Sequence, residues 1–268
     1  MKLVIFSIIF NGMPFVRRHL PVFEQLKCDW QWIVVEGAAA NTHDTKWCKP
    51  QPPGFSRDGT SEYLNSIIRH PRVSVLRRQM WDGKVSMCNW AIQDIAEPCC
   101  LLQVDCDEIW TAEQIEKIVE AFGKCPHIYR MYFWCRYFLG PDIIATSENG
   151  YGNRKGVEWL RAFRFMPGMT FSKHEPPVLS GNSRGVSLSR DETRAMGLVF
   201  EHYAWQLESQ AAFKEKFYGY RNAAACWRRL QENKNWPVKD LRSFLPWVGP
   251  GASADRFKSC EELGMVRI

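Results

Sequence analysis

Apolar runs alternate with helix-like segments through the first half of the chain, and this order constrains the fold more than any other feature. Leu3–Phe10 is a continuous apolar run, which is typical of a strand buried on both faces. The predicted strands are Leu3–Phe10, Trp32–Val35, Val73–Leu76 and Cys99–Val104, and the predicted helices are Pro14–Leu26, Ser61–His70 and Lys84–Ile95. Such alternation predicts an α/β fold with an open mixed, mostly parallel sheet flanked by helices.

The chain beyond the fourth predicted strand contains further helix and strand patterns. Thr111 and Gln114 predict a capping box at the start of a fourth helical segment. A long strand pattern follows over His127–Leu139. After it we expect irregular structure, then a short apolar strand over Leu198–Phe200, and helix again beyond Tyr203. We therefore predict one compact domain over residues 1–205 and a helical C-terminal extension over residues 206–268 that packs on it.

A long polar segment, Ala38–Thr60, interrupts this alternation. It carries several prolines and glycines and no periodic apolar pattern. Structureless loops of this length are uncommon inside compact domains and are often functional. We expect this loop to order over a bound substrate and to exclude water.

Cysteine usage, hydropathy and charge limit the class of protein. The 10 cysteines include no C-x-x-C pair, and several lie in apolar runs, which favours reduced, buried thiols and a cytoplasmic location. Cys28, His43 and Cys48 are too scattered for a zinc site. No stretch reaches the roughly 20 apolar residues that span a bilayer, so peripheral membrane association is the alternative to a free protein. A net charge of +6 is too small to indicate nucleic acid as a partner.

Three carboxylates follow the fourth predicted strand, at Asp105, Asp107 and Glu108. They repel one another unless a cation is near. On a strand, Asp105 and Asp107 point to the same side, so both can reach one ion, and hard oxygen ligands suit Mg²⁺ or Mn²⁺. The alternative is a solvated turn whose acids lie near the positive end of the next helix. We interpret the D-x-D pattern as a metal site.

Four short motifs occur in a characteristic order: Val104–Glu108 (VDCDE), Arg161–Arg164 (RAFR), His174-Glu175 and Phe200–Tyr203 (FEHY). In this order and spacing the chain resembles a family 2 type glycosyltransferase with the GT-A fold, over most of residues 1–220. The resemblance implies transfer of a sugar from a nucleotide-sugar donor to the hydroxyl of a glycan or another acceptor. It also implies dependence on Mn²⁺ or Mg²⁺.

The resemblance assigns roles at the donor side of the site. Asp107 would ligate the metal, and Asp105 would contact the donor ribose or the same ion. His202 resembles a late metal ligand of such enzymes, although a lone histidine near an apolar run is more often a core residue. Glu36 stands where the family often has an aspartate that binds the nucleotide. Lys84, at a helix start, and Lys214 would meet the diphosphate, and each has a solvated lysine as its alternative.

An inverting transfer needs a carboxylate that removes the proton of the acceptor hydroxyl. Glu175, in a loop stiffened by Pro176 and Pro177, is the first candidate, and Asp191 is the second. The alternative for Glu175 is an ion pair with Arg161 or Arg164. A retaining enzyme would need no such base.

Aromatic residues make up 13% of the chain and include 12 tryptophans. Indole rings provide good surfaces for the apolar faces of sugars. Four tryptophans lie near the motifs in sequence, and we expect one or two of them to stack on sugar and the rest to pack: Trp81, Trp110, Trp159 and Trp205.

Two functions from other classes are also compatible with these sequence features. A non-catalytic sugar-binding module would use the aromatic residues alone, and a metal-dependent phosphohydrolase would share the carboxylates. The chain has no Walker A loop and no H-E-x-x-H, so it matches neither the P-loop nor the zinc protease template. The donor sugar, the acceptor and the oligomeric state do not follow from the sequence.

Overall fold

A computed structural model describes residues 1–42, 45–46, 48–147, 159–181 and 185–256. The chain divides into two compact units. The first consists of Met1–Phe133 and Leu160–Phe200, and the second of Trp134–Trp159 and Glu201–Ile268. The second unit thus takes in residues 134–159 as well as the predicted C-terminal extension.

Regular elements alternate along the described chain. The strands are β1 (Leu3–Ile9), β2 (Trp30–Ala39), β3 (Val73–Trp81), β4 (Cys99–Gln103), β5 (Glu108–Ile109), β6 (Ile128–Gly140), β7 (Ile143–Ala145), β8 (Trp159–Phe165), β9 (Thr170–His174), β10 (Pro177–Ser180), β11 (Val186–Leu188), β12 (Val199–His202) and β13 (Ala254–Arg256). The helices are α1 (His19–Phe23), α2 (Thr60–Ile67), α3 (Lys84–Ile92), α4 (Ala112–Lys124), α5 (Arg190–Ala195), α6 (Glu208–Phe217) and α7 (Ala223–Gln231).

The first unit is built on a mixed, mostly parallel sheet with the strand order β6-β8-β4-β1-β2-β3. β1 lies parallel to both β2 and β4, with Leu3 opposite Trp30 and Cys100, whereas β8 runs antiparallel to β4. The prediction of an open, mostly parallel α/β sheet flanked by helices is confirmed. The carboxyl ends of β1, β2 and β4 consequently meet at one edge.

Both faces of this sheet are covered. Alternate residues of β1, β2 and β4 pack against α3 and β9 in one cluster that includes Phe6, Met87 and Phe171. On β2 the intervening Trp32 meets the edge of Phe23 from α1, with ring centroids 5.3 Å apart. Because side chains on a strand alternate between faces, α1 covers the face opposite α3. A sheet covered on both faces explains the unbroken apolar run of β1.

The first helix is shorter than predicted. A 3₁₀ turn over Phe15–Arg18 precedes α1, which begins only at His19. Pro21 therefore lies in the first turn of α1, where its missing N–H leaves no helical hydrogen bond unmade. The helical pattern over Pro14–Leu26 correctly indicated which side chains are buried, but not where the helix begins and ends.

β2 is longer than predicted, because it continues past Val35 to Ala39. β3 pairs with it as far as Trp81, with an irregularity at Glu36–Ala38. Gly37 has φ +136°, and a Cβ atom there would collide with the carbonyl oxygen of Arg78. Glu36 thus lies inside the strand and not at its exit.

The stretch predicted to be irregular before Leu198 contains β8 to β11. β8 joins the central sheet, and β9 and β10 form an antiparallel hairpin. The polar residues Arg161 and Arg164 hid the strand pattern of β8 in the sequence. Their charges are satisfied by partners in the folded chain, so the strand tolerates them.

The second unit contains an antiparallel β6-β7-β13 arrangement and the helices α6 and α7. The helical segment predicted beyond Tyr203 is interrupted by a turn, in which Gly219 has φ +73° and Asn222 has φ +53°. Left-handed backbone of this kind ends a helix. The continuous helical pattern is therefore divided between two short helices.

Cysteines and hydropathy give two further observations. The cysteines from Cys28 to Cys226 are free thiols, and several of them are buried in the core. His43 and Cys260 lie outside the described residues. Among the helices that the structure describes, none combines the length and the apolar character needed to cross a bilayer.

Candidate active site

The acidic motif follows β4 at the carboxyl edge of the sheet. β4 ends at Gln103, and a turn closed by a hydrogen bond from Glu108 N to Asp105 O (3.0 Å) leads into β5. Because β1 and β4 are parallel neighbours, the turn after β1 reaches the same edge. There a Cβ atom on Gly12 would lie 3.0 Å from the Cys106 Cβ, so the two turns touch.

A buried arginine joins two carboxylates of the motif. Arg161 Nη2 donates to Asp105 Oδ2 at 2.9 Å and to Glu108 Oε1 at 2.6 Å, and its Nε lies 2.9 Å from both Glu108 carboxylate oxygens. Glu108 is completely buried, whereas the Asp105 side chain is 25% exposed. Burial opposes ionisation of Asp105, but Arg161, His174 and the hydrogen bond from Gln103 together hold the pKa of Asp105 below its ordinary value.

The residues of the motif suit a hard divalent cation. Asp105 and Asp107 are both partly exposed, and carboxylate oxygens are preferred ligands of Mg²⁺ and Mn²⁺. Asp105 Oδ1 also accepts from Gln103 Nε2 at 3.2 Å, but a carboxylate offers about four lone-pair sites and can bind a cation as well. Gln103 Oε1 is buried without a hydrogen-bond partner among the described residues, which leaves an additional oxygen acceptor beside Asp105.

Within the part of the chain that the structure describes, no three histidine, cysteine or acidic side chains converge on one point. Proteins commonly hold Mg²⁺ through one or two carboxylates, with substrate phosphates and water as the remaining ligands. Asp105 and Asp107 correspond to that pattern of ligation.

A histidine that the sequence patterns did not indicate contacts the backbone of the acidic motif. His19 Nε2 lies 3.0 Å from the carbonyl oxygen of Cys106, the residue between the two aspartates. The ring is stacked on Phe23 and meets the edge of Trp32. Burial lowers the pKa of His19 to about 4, so the ring is neutral at pH 7 and its Nε2–H donates to the carbonyl. In sequence, His19 was hidden inside an apolar helical pattern.

The predicted donor ligand and the predicted base contact each other. Lys84 Nζ donates to Glu175 Oε1 at 2.8 Å. Lys84 is the first residue of α3, and Glu175 lies in the turn between β9 and β10. Burial works against the charge of Glu175, but Lys84 and the neighbouring His174 hold the pKa of Glu175 far below its usual range. The alternative pairing of Glu175 with Arg161 or Arg164 is not the one observed.

His174 connects this pair with the acidic motif. Its Nδ1 lies 3.5 Å from Glu175 Oε1, and the ring is close enough to Asp105 to act on that carboxylate electrostatically. Lys84, Glu175 and Asp105 are therefore neighbours in one group of charged side chains. The structure brings together three of the predicted site residues that lie far apart in sequence.

The position of Lys84 depends on the glycine before it. Gly83 has φ +134°, and a Cβ atom there would collide with Thr42 Oγ1. Thr42 Oγ1 in turn donates to the carbonyl oxygen of Asp82. A residue with a side chain would strain this turn, since L-residues rarely adopt such backbone angles.

Glu36 stabilises the fold through the contacts of its side chain. Its carboxylate is completely buried and accepts from Ser56 N at 3.2 Å and from Ser61 Oγ, and it forms an ion pair with Arg77 Nε at 2.8 Å. These contacts tie the second half of the 38–60 loop and the start of α2 to β2. A nucleotide would reach Glu36 only by displacing one of them, and the predicted donor-binding role stays a prediction.

The 38–60 loop is also bonded to the turn after β1. Asn11 N donates to Ser56 Oγ at 3.0 Å, Gly12 N to Thr60 Oγ1 at 2.9 Å, and Met13 N to Asp58 Oδ2 at 2.8 Å. The segment from Ser56 to Thr60 consequently lies beside the carboxyl edge of the sheet. Its predicted closure over a substrate stays a prediction.

Asp191 is the second candidate base. It lies in the first turn of α5, where its exposed side chain forms an ion pair with Arg194 at 3.4 Å. The neighbouring Glu192 completes a capping box with Ser189. Acidic residues at this position stabilise the positive end of a helix, which accounts for both carboxylates.

Two of the four tryptophans are core residues of the first unit. Trp81 is buried, and its Nε1 donates to the carbonyl oxygen of Glu36 at 2.9 Å. Trp110 is buried between Phe133 and Phe200. Burial of both rings favours the packing role over sugar stacking.

The remaining predicted residues belong to the second unit. His202 is buried between Tyr137 and Trp159, with ring centroids 5.0 Å and 4.7 Å away. Trp205 is buried, and its Nε1 donates to Tyr137 Oη at 3.1 Å. Of the four predicted tryptophans, Trp159 alone keeps a partly exposed side chain.

Lys214 is engaged within the second unit. Its Nζ donates to the carbonyl oxygen of Ala204 at 2.9 Å and lies 5.2 Å from the centre of the Trp205 ring. The predicted roles of His202 as a metal ligand and of Lys214 as a diphosphate ligand stay predictions.

Comparison with known proteins gives structural matches only. No family model matches the chain, and no curated protein matches it significantly. Among solved structures, residues 1–349 of S. aureus TarS in complex with UDP-GlcNAc align at 15% identity, with a TM-score of 0.38, over 52% of this chain and 35% of that one. A mannosyltransferase from Pyrobaculum calidifontis in complex with GDP-Man and Mn²⁺ aligns at 12% identity, with a TM-score of 0.46, over 87% of this chain and 65% of that one. The chain thus spans between about a third and two thirds of the length of these two structures.

Proposed function

We propose that the chain is a nucleotide-sugar-dependent glycosyltransferase that uses a divalent cation and inverts the configuration of the transferred sugar. The observation that carries the proposal is the group of charged residues at the carboxyl edge of the parallel sheet. There Asp105 and Asp107 are partly exposed, and His174, which acts electrostatically on Asp105, lies 3.5 Å from Glu175, the partner of Lys84. Ligands of open α/β sheets bind at this edge.

On the donor side, Asp107 with Asp105 would hold Mn²⁺ or Mg²⁺. When bound, such an ion supplies positive charge that neutralises the leaving nucleoside diphosphate. Arg161 holds Asp105 in place and ionised, and His19 fixes the peptide between the two aspartates. Lys84 places a second positive charge at the first turn of α3, and the N-terminal end of a helix also favours phosphate.

On the acceptor side, Glu175 would take the proton of the attacking hydroxyl. The acceptor O–H bond breaks as the new bond from that oxygen to the anomeric carbon forms, and the old C–O bond leaves its electron pair on the diphosphate. Glu175 is ionised in the ligand-free chain, as a proton acceptor must be, while its contact with Lys84 keeps its affinity for a proton low. Asp191 is the alternative base, but its ion pair with Arg194 on the exposed α5 favours Glu175.

Calorimetry with UDP and with GDP, each with and without Mn²⁺, tests the donor side. We expect one nucleotide to bind in the presence of Mn²⁺, Asp107→Asn to abolish the Mn²⁺ dependence, and the control Asp94→Asn, at an exposed aspartate beyond α3, to leave it unchanged. A chain that binds glycans but no nucleotide would be a sugar-binding module. Release of free sugar from a nucleotide sugar, with no acceptor glycosylated, would favour a phosphohydrolase.

A further inference from the structure

The contact between Lys84 and Glu175 joins two residues that the proposed function uses for different substrates. Lys84 would bind the donor diphosphate, and Glu175 would act on the acceptor hydroxyl. In the ligand-free chain they form one ion pair, 91 positions apart in sequence and 2.8 Å apart in space. Their side chains are 20% and 41% exposed, so solvent and a ligand can reach the pair.

A carboxylate and a phosphate compete for the same ammonium group. Both are oxygen anions that accept charge-assisted hydrogen bonds at about 2.7–2.9 Å, and a diphosphate carries more negative charge than a carboxylate. Glu175 therefore occupies on Lys84 the position that a phosphate oxygen of the donor would take. While it does so, one of its oxygens is engaged, and the nearby ammonium stabilises the carboxylate against protonation.

We propose that the diphosphate of the donor displaces Glu175 from Lys84, so that Glu175 becomes a proton acceptor only after the donor has bound. This inference rests on the proposed function. The exchange is between ion pairs: Lys84 gives up the carboxylate and takes a phosphate oxygen, and no covalent bond changes. The released carboxylate stays beside His174, whose Nδ1 lies 3.5 Å from Glu175 Oε1.

Two consequences follow for the reaction. The donor binds before the acceptor hydroxyl can be deprotonated, so binding is ordered. Part of the donor's binding free energy is also used to break the Lys84–Glu175 contact, and a variant that lacks the carboxylate binds the diphosphate more tightly.

Calorimetry of nucleoside diphosphate binding tests the competition directly. The titrations use UDP and GDP with Mn²⁺ on the full chain, on Glu175→Gln and on Glu175→Ala. A partly exposed ion pair contributes about 0.2–1 kcal/mol, so we expect both variants to bind about 1.4- to fivefold more tightly than the wild type. Lys84→Ala weakens binding, and adding Glu175→Gln to Lys84→Ala produces no further change, because Glu175 acts through Lys84.

The matched control is a lysine–glutamate pair of the same length at another place. Glu113 and Lys117 pair at 2.8 Å on the exposed face of α4, and Glu113→Gln leaves nucleotide affinity unchanged. If the wild type binds a nucleotide and both Glu175 variants bind it no more tightly, the inference is wrong and the proposed function stands. If the wild type binds neither nucleotide with any divalent cation, the proposed function fails, and the inference fails with it.

Discussion

Arg161 donates a hydrogen bond to Asp105 from the strand that runs antiparallel to β4, and the same guanidinium is bound on its other side by the buried Glu108. The Arg161 guanidinium is thus shared between Asp105, which is partly exposed at the candidate site, and Glu108, which is buried. Glu108 orients Arg161, and Arg161 in turn orients Asp105. The first aspartate of the motif is therefore positioned by the core of the first unit.

Removal of this arginine should cost much of the stability of the fold. Arg161→Ala leaves Glu108 buried without its counter-ion, and breaking a buried pair in this way costs about 3–5 kcal/mol. Urea denaturation measures the loss. The control is Arg194→Ala in the exposed pair with Asp191, for which we expect about 0–1 kcal/mol. Similar losses for the two variants would contradict the structural role of Arg161.

Acid should destabilise the chain through His19. The ordinary pKa of histidine is 6.5, and burial lowers the pKa of His19 in the folded chain to about 4. Between these two values the unfolded chain binds a proton that the folded chain does not. Stability from His19 is thus fully present above pH 6.5 and falls by about 3 kcal/mol as the pH drops to 4.

The matched variant for that prediction is His19→Gln, whose side-chain amide still carries an N–H for the Cys106 carbonyl but does not titrate. Free energies of unfolding at several pH values between 4 and 7 should fall less steeply for the variant than for the wild type. Equal slopes would show that His19 is protonated as readily in the folded chain as in the unfolded one.

Two glycine substitutions should have opposite effects. Gly83→Ala places a Cβ atom against Thr42 Oγ1 at φ +134°, and it should destabilise the fold by about 1–3 kcal/mol and weaken nucleotide binding by moving Lys84. Gly123→Ala lies near the end of α4, where a Cβ atom meets nothing within 4 Å, and it should stabilise by about 0.5–1 kcal/mol. Thermal unfolding measures both. A tolerated alanine at position 83 would rule out the proposed constraint on the turn.

Glu36 should prove to be an anchor of the 38–60 loop. Glu36→Gln keeps an acceptor for Ser61 but removes the charge opposite Arg77, so we expect a loss of about 1–3 kcal/mol in the free energy of unfolding. Nucleotide affinity, measured at a temperature where the variant is folded, should stay unchanged. A variant of wild-type stability with weakened nucleotide binding would instead support the donor-binding role predicted from sequence.

Local patterns predicted the elements whose determinants lie close together in the chain. The capping box of Thr111 and Gln114 is present, with Gln114 N donating to Thr111 Oγ1 at 3.2 Å. β1 and β4 were predicted within one residue at each end, because their apolar runs are bounded by turn residues. The bounds of α1 and the full length of β2 were not predicted, because both depend on neighbours that are distant in sequence.

The sequence by itself determined the alternating order of strands and helices, the mostly parallel sheet that this order implies, and the acidic pattern after β4. Each of these depends on patterns of residues that lie a few positions apart in the chain. Only the tertiary structure decided the partners of the charged side chains. Arg161 lies 56 positions from Asp105, and Lys84 lies 91 positions from Glu175. Such contacts depend on which strand ends meet at one edge of the sheet. Burial then decides which charges pair, because an unpaired charge inside a protein is costly.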